Sequence, residues 1–362
     1  MIKLNDFESE YASIGELIDE SIKKVLAGGT FILGENLEEF ENRFANYTGS
    51  KYCVGVASGT DALTIALIAH DVGYGDEVIV PAFTAYPTIS AIFSAGATPI
   101  FIDCNLEDAL IDVEQIEDKI NQKTKAIIPV HLYGQPCRMD EILTLKKKYG
   151  ILVIEDCAQA IGAEYKGDKV GSIGDCGAFS FYPTKNIGAY GDAGAIVTND
   201  SLIYSKLKSL RNYGNVGDYN HQSRGINSRL DEIQAAILNV KLEYIDIWNE
   251  RRIALADFYK KNIKHSKTFT KRKNLKHVYH IFAVYDDDRD YIMDYMIKNG
   301  IQTKVHYPRT ADDNISLGKR KINLCINSKL LSKKVLSLPI NPWVKKEHAE
   351  TIVDKLNKYY HD

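Results

Sequence analysis

Between residues 53 and 197, short apolar runs alternate with stretches of helical spacing, and this rhythm restricts the fold more than any other property of the chain. The runs lie at 53–57, 78–80, 99–102, 126–130, 151–154, 178–181 and 195–197, with helix-length segments such as 61–70, 87–95 and 140–149 between them. Alternation of this kind predicts an α/β fold with a large seven-stranded, mostly parallel sheet buried on both faces. Ligands of such sheets sit beyond the carboxyl ends of the strands. The last strand is expected to run antiparallel, because 188–194 is too short to hold a crossover helix.

Ahead of this block, 9–27 has helical periodicity (Ile14, Leu17, Ile18, Ile22, Val25, Leu26) and stops at Gly28-Gly29. A second amphipathic helix is expected at 36–47. After the block, 228–252 reads as one long helix, 277–285 as a strand, and 291–299 and 348–359 as helices. With 362 residues available, the expected division is a large domain at 1–244 and a smaller C-terminal α+β domain at 245–362.

A formal charge of −3 gives no electrostatic case for nucleic acid or an anionic membrane. The densest basic stretch, 264–276 with Lys271-Arg272-Lys273, reads as a solvated loop. No run approaches the roughly twenty apolar residues of a membrane span, and the first residues lack the apolar core of a signal peptide. The six cysteines show no Cys-x-x-Cys spacing and mostly lie in apolar runs, which suits buried thiols in a reducing cytosol. Cys157 adjoins Asp156, but with no histidine close in sequence it reads as packing.

Two strand ends carry the chemistry. The run 177–181 leads into Tyr182-Pro183-Thr184-Lys185, and 151–154 ends in Glu155-Asp156. A lysine and an aspartate at the mouths of strands in one sheet are what pyridoxal phosphate needs. The lysine forms the imine, and the aspartate keeps the ring nitrogen protonated so that the ring accepts electrons. Lys185 read alone is one more surface lysine, but it is followed by a Gly/Ala-rich run at 186–194 where a planar cofactor can approach the backbone. Partial burial there would lower its pKa toward a nucleophilic amine. Asp156 read alone is a cap. No cluster with ligand spacing surrounds it in sequence to support a metal, and Gln159 stands one turn beyond.

Ser58-Gly59-Thr60 forms the turn between a strand and a helix, where backbone N–H groups favour a phosphate. Simple helix capping explains the same residues equally well. Ser180, at another strand end, adds a second hydroxyl. His277 and His280 would point to opposite faces of a strand.

In combination these motifs resemble the DegT/DnrJ/EryC1/StrS sugar aminotransferases, of fold type I like aspartate aminotransferase. The likeness runs from the segment at 34–41 to Val305-His306-Tyr307-Pro308. It includes the motifs at 58–63, 75–81, 130–134, 155–160 and 227–231. The resemblance implies pyridoxal 5'-phosphate as cofactor, with Lys185 and Asp156 as the catalytic pair and Gln159 against the ring. Ser58, Gly59, Thr60 and Ser180 would hold the phosphate, and Asn227 would reach it from a partner subunit of a homodimer. Relatives often stack an aromatic residue on the ring at the position of Ala85; here Phe83 and Tyr86 on either side are the candidates. Ile161 stands where many members have histidine. Tyr182, Arg229, His306 and Tyr307 are the expected substrate-binding residues, with Arg229 and Arg309 considered for the donor carboxylate.

The runs at 188–194 and 133–136 look like those of members that aminate C3 of a dTDP-linked 3-keto-6-deoxyhexose, with glutamate as the expected donor. C4 amination, a UDP-linked sugar and a non-catalytic cofactor-binding regulator are the alternatives. A sugar dehydratase on this fold would replace Lys185, and no Gly-x-Gly-x-x-Gly follows a strand to suggest a nicotinamide enzyme.

Overall fold

The computed structural model describes residues 1–313 and 325–360. Its strands, in chain order, are β1 Tyr52–Val56, β2 Glu77–Pro81, β3 Thr98–Ile102, β4 Thr124–Ile127, β5 Leu152–Asp156, β6 Glu164–Tyr165 and β7 Asp168–Lys169. They continue with β8 Cys176–Ser180, β9 Gly194–Thr198, β10 Lys267–Thr268, β11 Leu275–Lys276, β12 Phe282–Tyr285 and β13 Val335–Leu338. The helices are α1 Phe7–Gly28, α2 Glu35–Thr48, α3 Gly59–Ala69, α4 Tyr86–Ser94, α5 Met139–Tyr149 and α6 Ser201–Leu210. They continue with α7 Glu232–Leu242, α8 Ile245–Asn262, α9 Arg289–Lys298, α10 Ile326–Lys334 and α11 Lys346–Lys358.

The seven runs read from the sequence form one sheet, in the order β1-β9-β8-β5-β4-β2-β3. All its pairings are parallel except those of β9, which runs antiparallel to both β1 and β8. Alternate residues feed two different cores. Val54, Val56, Ala178 and Ile196 face one cluster, while Cys53, Phe179, Ala195 and Val197 face another that includes residues of α1, α2 and α7. Phe40 and Phe44 of α2 meet Phe179 and Phe181 edge-on at centroid distances of 4.9–5.3 Å. Edge-to-face packing of this kind anchors the strand end next to Lys185.

A third cluster draws its buried residues from 256–356 and surrounds the small sheet β10-β12-β13. The chain start joins it, because Ile2 bridges to Ile301. All six cysteines are buried and unpaired. No helix among the described residues is long and apolar enough to cross a membrane.

Three expectations need correction. The segment 228–252 is not one helix: α7 ends at Leu242 and α8 starts at Ile245. Only the last four residues of 277–285 form a strand of the small sheet, and β11 just before them pairs instead with β6. In between, Tyr279 has φ of +44°, Val278 N–H donates to Gly134 O at 3.1 Å and Ile281 N–H to Tyr133 O at 3.4 Å. The segment is thus held by a turn of the large sheet, so the argument that His277 and His280 point apart does not apply. The basic stretch is also not all solvated loop, since it contains β10 and β11 and Arg272 pairs with the buried Asp108.

Candidate active site

The carboxyl ends of β1, β5 and β8 open on one side, and β9 begins there. This follows from the register, which pairs Asp156 with Ala178, and Gly194 with both Val56 and Ser180. Asp156, the last residue of β5, is 4% exposed. Thr88 Oγ1 donates to its Oδ2 at 2.8 Å, and the Ala158 N–H donates to Oδ1 at 3.1 Å. Burial raises its pKa above the usual carboxylate value, while these two hydrogen bonds and the charge of Lys185 pull it back. A buried carboxylate of this kind gains from a cationic partner, which a protonated pyridine would supply.

Lys185 follows β8 in a turn in which its N–H donates to Tyr182 O at 2.8 Å. Its amine is enclosed closely enough that desolvation pushes the pKa down to about 8, against the opposing pull of Asp156. The reading of Lys185 as an ordinary surface lysine fails on this point.

The Ser58 turn divides its duties. The Ser58 side chain caps α3, accepting from Asp61 N–H at 3.1 Å, and so carries the capping role. The N–H groups of Gly59 and Thr60 have no acceptor among the described residues, as expected for the first turn of a helix. A Cβ added at Gly59 would lie 2.6 Å from Ser180 Cβ. The turn and the end of β8 therefore touch, and only glycine permits it. Free amides, the Thr60 and Ser180 hydroxyls and a helix N-terminus make a cradle that fits a phosphate, and the Lys185 and Asp156 groups fit the rest of pyridoxal phosphate.

Gln159 links two further parts. Tyr133 N–H donates to its Oε1 at 2.7 Å, and its Nε2 donates to the Tyr307 hydroxyl at 2.8 Å. The Tyr133 hydroxyl in turn donates to the carbonyl of His306. Tyr133 adopts φ of +60°, and a Cβ at Gly134 would come within 2.9 Å of Gln159 O. The Tyr133–Gly134 turn thus ties Gln159 to His306 and Tyr307 at the cost of local strain. His306 Nδ1 is 2.8 Å from Ser337 Oγ, and burial with the nearby charges of Lys304 and Lys185 pushes its pKa down to about 4. It is neutral at pH 7.

The remaining predicted residues are less uniform. Phe83 is 1% exposed and belongs to the main core cluster, whereas Tyr86, 38% exposed, opens α4. Tyr182 is exposed beside Lys185. Asn227 is exposed on this chain, next to Ser228, whose hydroxyl donates to Asp61 Oδ2 at 2.6 Å. Arg229 lies over the Tyr213 ring and donates to Asn212 Oδ1 at 3.1 Å. Arg309 is exposed.

Sequence reading missed two features. Val278 O accepts from Asn186 Nδ2 at 3.2 Å, which brings the 278–281 segment beside Lys185. His280 comes with it: burial and the charges of Lys185, Arg252 and His306 hold its pKa well below 6.5, and its Nδ1 is buried without a partner. The second feature lies behind Asp156, where His131, Glu155 and Cys157 place possible ligand atoms within 4.8 Å of one another. Hydrogen bonds already account for the histidine and the glutamate. His131 Nδ1 accepts from Cys137 N–H, so its Nε2–H faces Glu155 at 3.0 Å, and Glu155 also accepts from the N–H groups of Gly171, Ile173 and Gly174. Burial raises the pKa of Cys157, so its thiol is not a nucleophile.

Comparison with known proteins identifies the family. The family model for the DegT/DnrJ/EryC1/StrS aminotransferases matches residues 12–357. The chain is 45% identical to a dTDP-3-amino-3,6-dideoxy-alpha-D-galactopyranose transaminase of Aneurinibacillus thermoaerophilus, covering 94% of this chain and 95% of the relative. It is 39% identical to a UDP-N-acetyl-3-dehydro-alpha-D-glucosamine 3-aminotransferase of Acidithiobacillus ferrooxidans, covering 99% and 98%. Among solved structures, S. venezuelae DesV in complex with a ketimine intermediate superposes with a TM-score of 0.97 at 36% identity, covering 100% of this chain and 99% of that one. The chain therefore belongs to the DegT/DnrJ/EryC1/StrS aminotransferase family, as a pyridoxal-phosphate-dependent sugar-nucleotide aminotransferase of fold type I.

Proposed function

We propose that this enzyme moves an amino group from glutamate to C3 of a dTDP-linked 3-keto-6-deoxyhexose, giving a dTDP-3-amino-3,6-dideoxyhexose, and that it works as a homodimer. One observation supports the sugar assignment most directly. The Tyr133–Gly134 turn, which by sequence resembles that of C3-aminating members, connects Gln159 at the cofactor side to His306 and Tyr307, the expected sugar-binding residues. The 45% identical relative, whose own product is a dTDP-3-amino-3,6-dideoxyhexose, points the same way.

Bound at this site, pyridoxal phosphate supplies an aldehyde that condenses with amines and a ring that draws electrons from the adjacent carbon. Lys185 Nζ, neutral in useful fraction near pH 7 because it is desolvated, would take the proton from the donor's Cα and later give it back. The buried carboxylate of Asp156 would hold a proton on the ring nitrogen. Gly59, Thr60 and Ser180 would hold the phosphate and so orient the cofactor toward Lys185. Neutral His306 and the Tyr307 hydroxyl orient the sugar. Asn227, exposed on its own chain, reaches the phosphate of the partner's site.

A UDP-linked 3-keto sugar is the second reading, supported by the 39% identical relative that acts on one. The test is a panel of dTDP- and UDP-linked 3-keto and 4-keto sugars with glutamate as donor, the position of the new amine being read by NMR. Amination of C3 on the dTDP sugar is the expected result. Preference for a 4-keto sugar, or no turnover of any sugar by cofactor-loaded enzyme, refutes the proposal.

A further inference from the structure

Lys241, on α7, has a side chain with 0% exposure. Its Nζ has three partners. It pairs with Glu10 of α1, donates to the carbonyl of Gly188 at 2.6 Å, and lies 4.1 Å from the centre of the Tyr190 ring. Burial pushes the pKa of this ammonium down, and Glu10 opposes the push. Gly188 and Tyr190 both belong to the loop that carries Lys185.

That loop is closed on itself. Ala189 N–H donates to Phe181 O at 2.7 Å, and Lys185 N–H to Tyr182 O at 2.8 Å. Gly188 lies so close to Pro183 that a Cβ would come within 2.3 Å of the Pro183 carbonyl oxygen. Helix α7 grips the far side of this loop at two points: Lys241 at Gly188, and Gln234, whose Oε1 accepts from Tyr190 N–H at 2.9 Å. The Tyr190 hydroxyl closes the circuit at 3.4 Å from Glu10.

A buried ion pair is a poor source of stability, since apolar residues of similar volume do as well or better. What an apolar pair cannot do is donate to a particular carbonyl. We propose that the Glu10–Lys241 pair is a positioning device for Lys185: Glu10 keeps Lys241 charged and aimed, and Lys241 fixes the Gly188 carbonyl and so the closed loop on which the catalytic amine is mounted. Neither residue touches the reacting atoms. Helix α1 thereby takes part in aligning the site, from residues 175 positions away in the chain.

The test replaces the pair with apolar volume, as Glu10→Leu/Lys241→Met, and measures three quantities on cofactor-loaded protein. The expected result is a melting temperature near that of the parent, faster hydrogen exchange confined to a peptide spanning 182–191, and a fall in kcat of about 10- to 100-fold, the scale of small misplacements of reacting groups. KM for the amino donor stays within about twofold, because the pair contributes nothing to ground-state binding. Unchanged exchange in that peptide together with unchanged kcat overturns the proposal and leaves the pair as packing. Should the double variant not fold, Glu10→Gln/Lys241→Met, which keeps a polar side chain beside Tyr190 but removes the donor to the Gly188 carbonyl, carries the same readouts. If that neutral pair keeps the loop's exchange rates and kcat at parental values, the proposal is likewise overturned.

Discussion

The depressed pKa of Lys185 can be measured directly, and the measurement tests the electrostatics from which the catalytic role follows. With a pKa of about 8, about a tenth of the cofactor-free lysine is neutral at pH 7. With the ordinary value of 10.5, only about 3 in 10,000 would be. The neutral fraction of this amine should therefore exceed that of an exposed lysine by about 300-fold at pH 7, a gain in acylation that its lower basicity only partly offsets. Labelling of cofactor-free enzyme over a pH series, with the Lys185 peptide followed by mass spectrometry, gives the midpoint. Substituting Asp156→Asn provides the sign check. The aspartate is the group that raises the lysine pKa against desolvation, so removing its charge moves the midpoint below about 8 and speeds labelling. The same variant loses turnover, because an amide does not hold a proton on the ring nitrogen. A wild-type midpoint above 10, or an upward shift in Asp156→Asn, would falsify the assignment of burial as the cause.

Other consequences can be checked separately. If Asn227 serves the partner's site, mixing inactive Lys185→Ala chains with Asn227→Ala chains under subunit exchange yields heterodimers with one intact site each; an equal mixture then recovers roughly a quarter of wild-type activity. No recovery above the Asn227→Ala background means that the residue acts within its own chain. Gly59→Ala forces a Cβ to 2.6 Å from Ser180 Cβ. It should raise the dissociation constant for pyridoxal phosphate by about tenfold or more, equivalent to roughly 1.4 kcal/mol; unaltered affinity in a fluorescence titration counts against the phosphate cradle. Glu155→Gln places an amide N–H₂ among three backbone donors and His131 and should cost about 2–4 kcal/mol of stability by urea unfolding. A midpoint indistinguishable from wild type would show that the network is dispensable. Tyr307→Phe removes the hydroxyl that accepts from Gln159. It should raise KM for the sugar while the half-reaction with glutamate keeps its rate, and equal slowing of both halves would place Tyr307 outside the sugar site.

How much of this was legible before folding depends on how far apart the interacting residues lie. The seven strands could be read because each is a local apolar run, and the antiparallel β9 because the loop before it is short. Lys185, Asp156 and the Ser58 turn were recognisable because each sits within a few residues of a strand end. The break between α7 and α8 left no trace, since the two residues between them, Glu243 and Tyr244, include neither glycine nor proline. His280 was read as part of a strand because its segment is apolar; the irregular path there comes from Gly134 and Tyr133, more than 140 residues earlier.

The sequence by itself determined the class of fold and the cofactor chemistry, and it singled out the two strand-end residues proposed to carry that chemistry, because hydrophobic period and strand-end motifs are local properties of the chain. Only the tertiary structure decided which groups surround those two. It showed that Ser58 spends its side chain on capping while the Gly59 and Thr60 amides stay free, that Phe83 belongs to the core, and that His280 and the Lys241 loop contact belong to the Lys185 region. Desolvation, orphaned hydrogen-bond groups and buried ion pairs arise from packing between distant segments, and no local pattern records them.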